Sequence, residues 1–227
     1  MWVAGPGARV FFSSFSRPVW SPYPSPGLGV RVFSLVIPPA TVMAVSFSGE
    51  LAYEIHVPNA SLYAAYLAVK QAGAAFGIKL FGARAVDSMR LEKGFLHWKA
   101  DLITEFDPFE TGLDRFVKLD KEKLVGRENL LERREQGPTK RLVTLKIGTK
   151  QAPAPSGASL MLDAQVVGTV TSGEWGHRLG MNLAYAFVDV PFSDVGSIME
   201  LDLCGMRVDA EVIAPSPYDP KFERLRA

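Results

Sequence analysis

Apolar and polar positions first alternate cleanly near residue 52. Tyr53, Ile55 and Val57 fall on one side of a period-two pattern, and Ala52, Glu54 and His56 fall on the other. That pattern predicts a strand with one apolar and one more polar face. Pro58-Asn59 ends it. Ser61 is positioned to cap a helix running to about Ala72, with Leu62, Tyr66 and Val69 on one face at i, i+4, i+7 spacing, and Gly73 or Gly77 closes it. A second helix is predicted over 83–93, with Val86 and Met89 as apolar contacts and Gly94 as its stop. Another side of that helix carries Arg84, Asp87 and Arg90 at i, i+3 spacing, which suits ion pairs. A loop opened by Asp107-Pro108 covers 107–120, and a charged helix covers 126–136.

Gly137-Pro138 stops that helix and reads as a domain boundary. Beyond it the periodicity is mostly that of strands: 142–147, 166–171, 183–190, 199–203 and 206–213. The last two face each other across Cys204-Gly205, a hairpin signal. Short strands at this spacing predict a small barrel or sandwich.

Composition changes the picture at the N-terminus. Residues 1–49 contain no Asp or Glu, yet carry Arg9, Arg17, Arg31, many serines and seven prolines. Residues 1–44 therefore read as an unassigned lead-in, transit-like or disordered in composition, to which no chemistry is assigned. A net charge of +1 and the lack of a basic stripe argue against nucleic-acid binding. No apolar run approaches the roughly 18 residues needed to span a bilayer. Cys204 is the only cysteine, which excludes an internal disulfide and a cysteine-based zinc site; in a hairpin it reads as a core residue.

Searches for chemistry return few candidates. There is no dinucleotide fingerprint, P-loop or nucleophile elbow, and His56, His97 and His177 lack metal-ligand spacing. No catalytic or metal-binding residue is assigned. Glu54 has two readings: a solvated strand carboxylate, or an acceptor-only bidentate group for the paired N–H donors of a planar heterocycle. Arg84 and Arg90 either engage an anionic ligand tail or pair with Asp87. Trp98 offers a stacking face or packs in the core.

Three segments then occur in a telling order: Ser48-Gly49-Glu50-Leu51-Ala52-Tyr53-Glu54-Ile55, Asp87-Ser88-Met89-Arg90-Leu91-Glu92-Lys93-Gly94, and Gly126-Arg127-Glu128. They resemble the "TGE-x-x-x-E", "D-x-LR-x-E-x-G" and "GRE" stretches of the glycine-cleavage T-protein (aminomethyltransferase) family. The "LEKGF-x-HW-x-ADL" and "GLDRFVKLDK" stretches are most similar to the C-terminal folate-binding half of dimethylglycine and sarcosine dehydrogenases, and Val170-Thr171-Ser172-Gly173 resembles the family's barrel strand end. The ordered series covers about residues 45 to 220.

The resemblance implies an α+β fold: a partial central folate-binding region over 45–137, followed by a small C-terminal β-barrel over 138–220. It implies transfer of a one-carbon unit to tetrahydrofolate by way of a methylene iminium. Glu54 matches the glutamate that grips the pterin ring, and Tyr218 matches a tyrosine near the folate site. The family's arginine before the helix aspartate is Val86 here, leaving Arg84 or Arg90 to substitute. The family's catalytic aspartate belongs to an earlier motif, and residues 1–44 hold no Asp. The expectation is a fragment that is impaired in turnover. FAD would enter only with an upstream flavin domain or partner protein, and folate and an amine donor are the small-molecule partners. The resemblance points to the mitochondrial matrix or the bacterial cytoplasm. The alternative is a non-catalytic interaction or regulatory module of the same fold.

Overall fold

The computed structural model of the chain describes residues 1–15, 30–33 and 40–226. The chain divides into two compact units, Met1–Met89 with Asp219–Ala227, and Arg90–Tyr218.

The first unit begins with strand β1 (Trp2–Ala4) and helix α1 (Ala8–Phe15). Strands β2 (Val30–Phe33), β3 (Ala40–Met43) and β4 (Ala52–His56) complete a four-stranded sheet in the order β1-β4-β3-β2. All its pairings are antiparallel. The predicted alternation holds in β4: Tyr53 and Ile55 are buried, whereas Glu54 lies on the other face, half-buried. The buried face packs on Val3, Ala8, Phe11, Phe12, Val42 and Val69. Phe12 meets Tyr53 at 4.7 Å between ring centroids.

The lead-in expected over 1–44 is therefore in part fold. Phe11 and Phe12 are 2% and 3% exposed, and burial of such a side chain is worth about 1.5–3 kcal/mol. The absence of acidic residues described a buried strand and helix as well as it would describe a leader. The proline cluster from Pro18 to Pro26, with Arg17, and the pair Pro38-Pro39 lie outside the described residues.

Helix α2 (Leu62–Gly73) forms where predicted and buries Val69 as expected, with Ala65 and Gly73 beside it, while Tyr66 is half-buried. Leu62, expected on the core face, is 46% exposed. A Cβ on Gly73 would stand 2.7 Å from the Ile78 side chain, so the missing side chain makes room for Ile78, and Leu62, Tyr63 and Leu67 are turned outward. Ser61 occupies the cap position without a side-chain cap bond, because a 3-10 turn over Asn59–Ser61 leads into the helix. A second 3-10 turn, Ala74–Phe76, extends the helix to Gly77, whose φ of +67° ends it. Helix α3 (Ala83–Lys93) is closed by Gly94 at φ +81°, with Phe95 N–H donating to Arg90 C=O at 2.9 Å. A Cβ on Gly94 would stand 2.3 Å from the Pro215 carbonyl oxygen, so no other residue fits there.

In the second unit the charged helix is α4 (Arg127–Gln136). It is followed by β5 (Lys140–Ile147), β6 (Ser159–Leu162), β7 (Gln165–Gly176), β8 (Met181–Asp189), β9 (Ile198–Leu203) and β10 (Met206–Ile213). These strands form a closed barrel in the order β10-β5-β8-β7-β6-β9. The barrel is filled by Leu145, Leu160, Val170, Val188, Leu201 and Val212, among others. The Cys204-Gly205 hairpin forms as predicted, with Cys204 at φ +53°. Cys204 is nevertheless exposed, not core, because it occupies the turn. Strand β6 had no sequence signal. Its turn is Asp163-Ala164, both at positive φ, without the glycine that marks such turns.

Candidate ligand-binding site

Glu54 owes its position to the register of β4. It is the Cα partner of Trp2 on β1 and of Met43 on β3, so these three side chains share one face of the sheet. Beside them Ala4 pairs with Ala52, a small-residue floor. His56 approaches along the strand, its Nε2 3.3 Å from Glu54 Oε1. The result is a carboxylate set between an indole and a thioether, with 26% of its side chain exposed. Such a group can accept N–H donors from the edge of a planar ring.

Trp2 also lines a cavity of about 690 Å³ within the same unit, a volume suited to a small organic ligand. Phe11, Val69, Ile78 and Phe81 supply apolar wall, while Lys70 and Lys79 bring positive charge. Ala83 and Val86 of α3 close one side. Arg84, between them in sequence, is exposed on the first turn of that helix.

Arg90 and Tyr218 belong to the second unit and are engaged there. Arg90 is 3% exposed. Its Nη1 donates to Asp101 Oδ2 at 2.6 Å and to the Phe95 carbonyl at 3.4 Å. Asp101, fully buried, also accepts from the hydroxyls of Thr171 and Ser172, each at 2.6 Å, and from His97 N–H at 2.8 Å. The geometry directs the Arg90 Nη1 inward, onto a buried carboxylate. Tyr218 donates its N–H to the Glu92 carbonyl at 2.9 Å, and the guanidinium of Arg178 lies 3.7 Å from its ring centroid. That guanidinium pairs through Nε with Glu92, which also accepts N–H bonds from Arg178 and Leu179.

Beneath this layer sits Tyr185. Its hydroxyl donates to the Leu91 carbonyl at 3.1 Å. Burial pushes its phenol far above the ordinary tyrosine range; Arg90 pulls it back and Asp101 adds to the rise. It is a neutral donor. Trp98, weighed as a core or stacking residue, is 69% exposed and outside the core.

Sequence reasoning missed Trp2, Glu92 and Asp101. Trp2 was set aside with the lead-in. Glu92 and Asp101 stand out in the sequence only as members of family-like stretches, since the residues that saturate them lie about 70 to 90 positions away. Among the described residues no group of three or more His, Cys, Asp or Glu could hold a metal ion. Among them, too, no helix is long and apolar enough to cross a membrane.

Comparison with known proteins gives a consistent result. Residues 1–121 match the family described as "GCVT N-terminal domain", and residues 140–219 match "Glycine cleavage T-protein C-terminal barrel domain". Human mitochondrial dimethylglycine dehydrogenase is 32% identical over 212 residues, covering 93% of this chain and 24% of the relative. Mouse mitochondrial sarcosine dehydrogenase is 35% identical, covering 80% of this chain and 21% of the relative. A solved structure, the glycine cleavage system aminomethyltransferase T of Bartonella henselae, superposes with a TM-score of 0.74 at 25% identity, over 80% of this chain and 50% of that one. The chain thus spans about a quarter of the dehydrogenases and half of the aminomethyltransferase.

Proposed function

Since this chain belongs to the glycine-cleavage T-protein family, we propose that it binds tetrahydrofolate through the sheet face around Glu54. The fold is aminomethyltransferase-like, with the family's C-terminal barrel. The observation that carries the reading is one unit holding a Glu54 with 26% of its side chain exposed beside Trp2, which in turn borders a cavity that Ala83 and Val86 close and that Glu54 itself does not line.

In this reading Glu54 accepts the N–H donors of the pterin edge, and Arg84 takes the anionic tail. Arg90, buried on Asp101, is kept in this reading only as the alternative to Arg84. Tyr218, whose ring carries the Arg178 guanidinium, is proposed as a folate contact on the family resemblance alone. Tetrahydrofolate, when bound, accepts a one-carbon unit from an amine donor. The protein holds and orients it and excludes water from its apolar side. The working boundary between the folate-binding region and the barrel is Gly137-Pro138. The first aspartate of the chain is Asp87, so these 227 residues offer no acid–base carboxylate of that type ahead of the Glu54 strand. FAD belongs to this reading only with a flavin-bearing domain or partner, and no residue here is assigned to it. The mitochondrial matrix or the bacterial cytoplasm is the proposed location.

A second reading, the interaction module, draws on the outer face of α2, where Leu62, Tyr63 and Leu67 are 46%, 72% and 44% exposed. Thermal unfolding with and without tetrahydrofolate separates the two. A ligand specific to the native state stabilises it by about 2.7 kcal/mol at a hundredfold excess over Kd. A clear upward shift that Glu54→Ala abolishes is the expected result. No shift at millimolar tetrahydrofolate would leave the interaction module.

A further inference from the structure

The face around Glu54 carries a second determinant that lies in the segment set aside by composition. Met1 and Ile55 exchange both backbone hydrogen bonds, Ile55 N–H to Met1 C=O at 2.8 Å and the Met1 amine to Ile55 C=O at 3.1 Å. In an antiparallel ladder the next pair must be of the non-hydrogen-bonded type, whose side chains stand closest, with Cα atoms about 4.5 Å apart. That pair is Trp2 and Glu54. The adjacent pair is Ala4 and Ala52, so no bulky side chain from those positions crowds the indole on that side.

Three further features bear on what the indole does. Trp2 is 42% exposed although it sits on a strand whose next residue, Val3, is core. Its ring is tilted 57° to Phe47 with centroids 6.1 Å apart, which gives it an aromatic neighbour and a defined setting. It borders the cavity. A planar heterocycle held edge-on by a carboxylate has two faces left to satisfy, and an adjacent indole satisfies one by stacking.

We propose that Trp2 is the stacking platform for the heterocycle whose edge Glu54 accepts, and so a specificity determinant for a flat, nitrogen-rich ring. This deepens the folate reading and rests on it. Glu54 reads the ring's N–H pattern, and Trp2 reads its flatness.

The test is calorimetric titration of the full chain with 5-formyl-tetrahydrofolate, a chemically stable reduced folate. It compares the native chain with Trp2→Phe, Trp2→Leu, Glu54→Gln and Trp98→Phe, with unfolding midpoints as a check on folding. Trp2→Leu keeps apolar bulk but removes the π-face. It is expected to raise Kd about tenfold, while Trp2→Phe stays within about threefold of the native value. Trp98→Phe, in the other unit, is expected to leave Kd unchanged. Equal Kd values for Trp2→Leu and the native chain, with binding still lost in Glu54→Gln, would overturn the stacking role and leave the folate reading standing. Equal losses in Trp2→Leu and Trp2→Phe would also overturn it, since packing rather than the π-face would then be at work. No binding by the native chain would overturn both.

Discussion

Glu54 and Glu92 carry the same functional group, each in a segment resembling the family's motifs, and they come to opposite ends. Glu92 is fully buried at the end of α3, with the Arg178 side chain and two backbone N–H groups on its oxygens. Glu54 stands on an open sheet face beside Trp2, with 26% of its side chain exposed. The difference lies in what surrounds each. A carboxylate removed from water must be matched by charge and hydrogen bonds, and once matched it holds the fold. A carboxylate left at a surface with a flat neighbour keeps its acceptor capacity for a ligand. Arg90 and Asp101 fall with Glu92 on the structural side.

The sharpest way to break this comparison is to remove Asp101. Asp101→Ala leaves the buried Arg90 guanidinium without its ion-pair partner and removes an acceptor from Thr171, Ser172 and the His97 N–H. Loss of one member of a buried pair costs about 3–5 kcal/mol. Denaturant unfolding is expected to show that loss. A change below 1 kcal/mol would mean that the network is not structural, and that Arg90 is available for a ligand after all.

Next comes Phe12→Ala, which tests whether the N-terminal residues belong to the fold. Phe12 is 3% exposed and packs against Tyr53, the residue before Glu54. The cavity left should cost about 3 kcal/mol. Because the same sheet carries Glu54 and Trp2, folate affinity is expected to fall with stability. Unchanged unfolding would return residues 1–15 to the status of a lead-in.

A smaller effect comes from Tyr185→Phe. The hydroxyl lost here satisfies the Leu91 carbonyl, which is worth about 1 kcal/mol. The pH dependence carries more information. Burial raises the phenol above its unfolded value of 10.0. The neutral form is favoured in the native state, so this contribution is complete below pH 10.0 and declines as pH rises past it. The variant is expected to be weaker at neutral pH and to lose stability less steeply in alkali. Parallel alkaline curves for the two proteins would show that Tyr185 is not sealed from solvent.

Local pattern carried most of the elements. The alternation over 52–57, the helix stops at Gly77 and Gly94, and the β9–β10 hairpin depend on a residue and its near neighbours, and each was legible. Two things were not. Part of the buried stripe of α2 was missed because a search for large apolar residues passes over Ala65 and Gly73. The buried charges were missed for a different reason. Asp101 is explained by Thr171 and Ser172, and Glu92 by Arg178, and nothing near either acid in sequence announces those partners. Glu54 was legible through family resemblance, while the significance of Trp2 appeared only with the strand register.

The smallest effect expected on stability is also the most discriminating. Glu54→Gln preserves the shape of the side chain and one acceptor oxygen but removes the charge and the paired acceptance. Glu54 is partly solvated, and its contact with His56, a group 52% exposed, contributes little, so the unfolding free energy should change by less than about 0.5 kcal/mol. Binding should respond quite differently. A neutral amide offers one acceptor and a mismatched donor to a ring edge that presents two N–H groups, which costs both the charge assistance and a hydrogen bond. Affinity for tetrahydrofolate should fall at least tenfold, about 1.4 kcal/mol. Stability retained with binding lost separates Glu54 from Asp101, whose removal should cost about 3–5 kcal/mol of stability. If Glu54→Gln destabilises the chain by several kcal/mol, the two carboxylate environments are not opposites, and Glu54 joins the structural set.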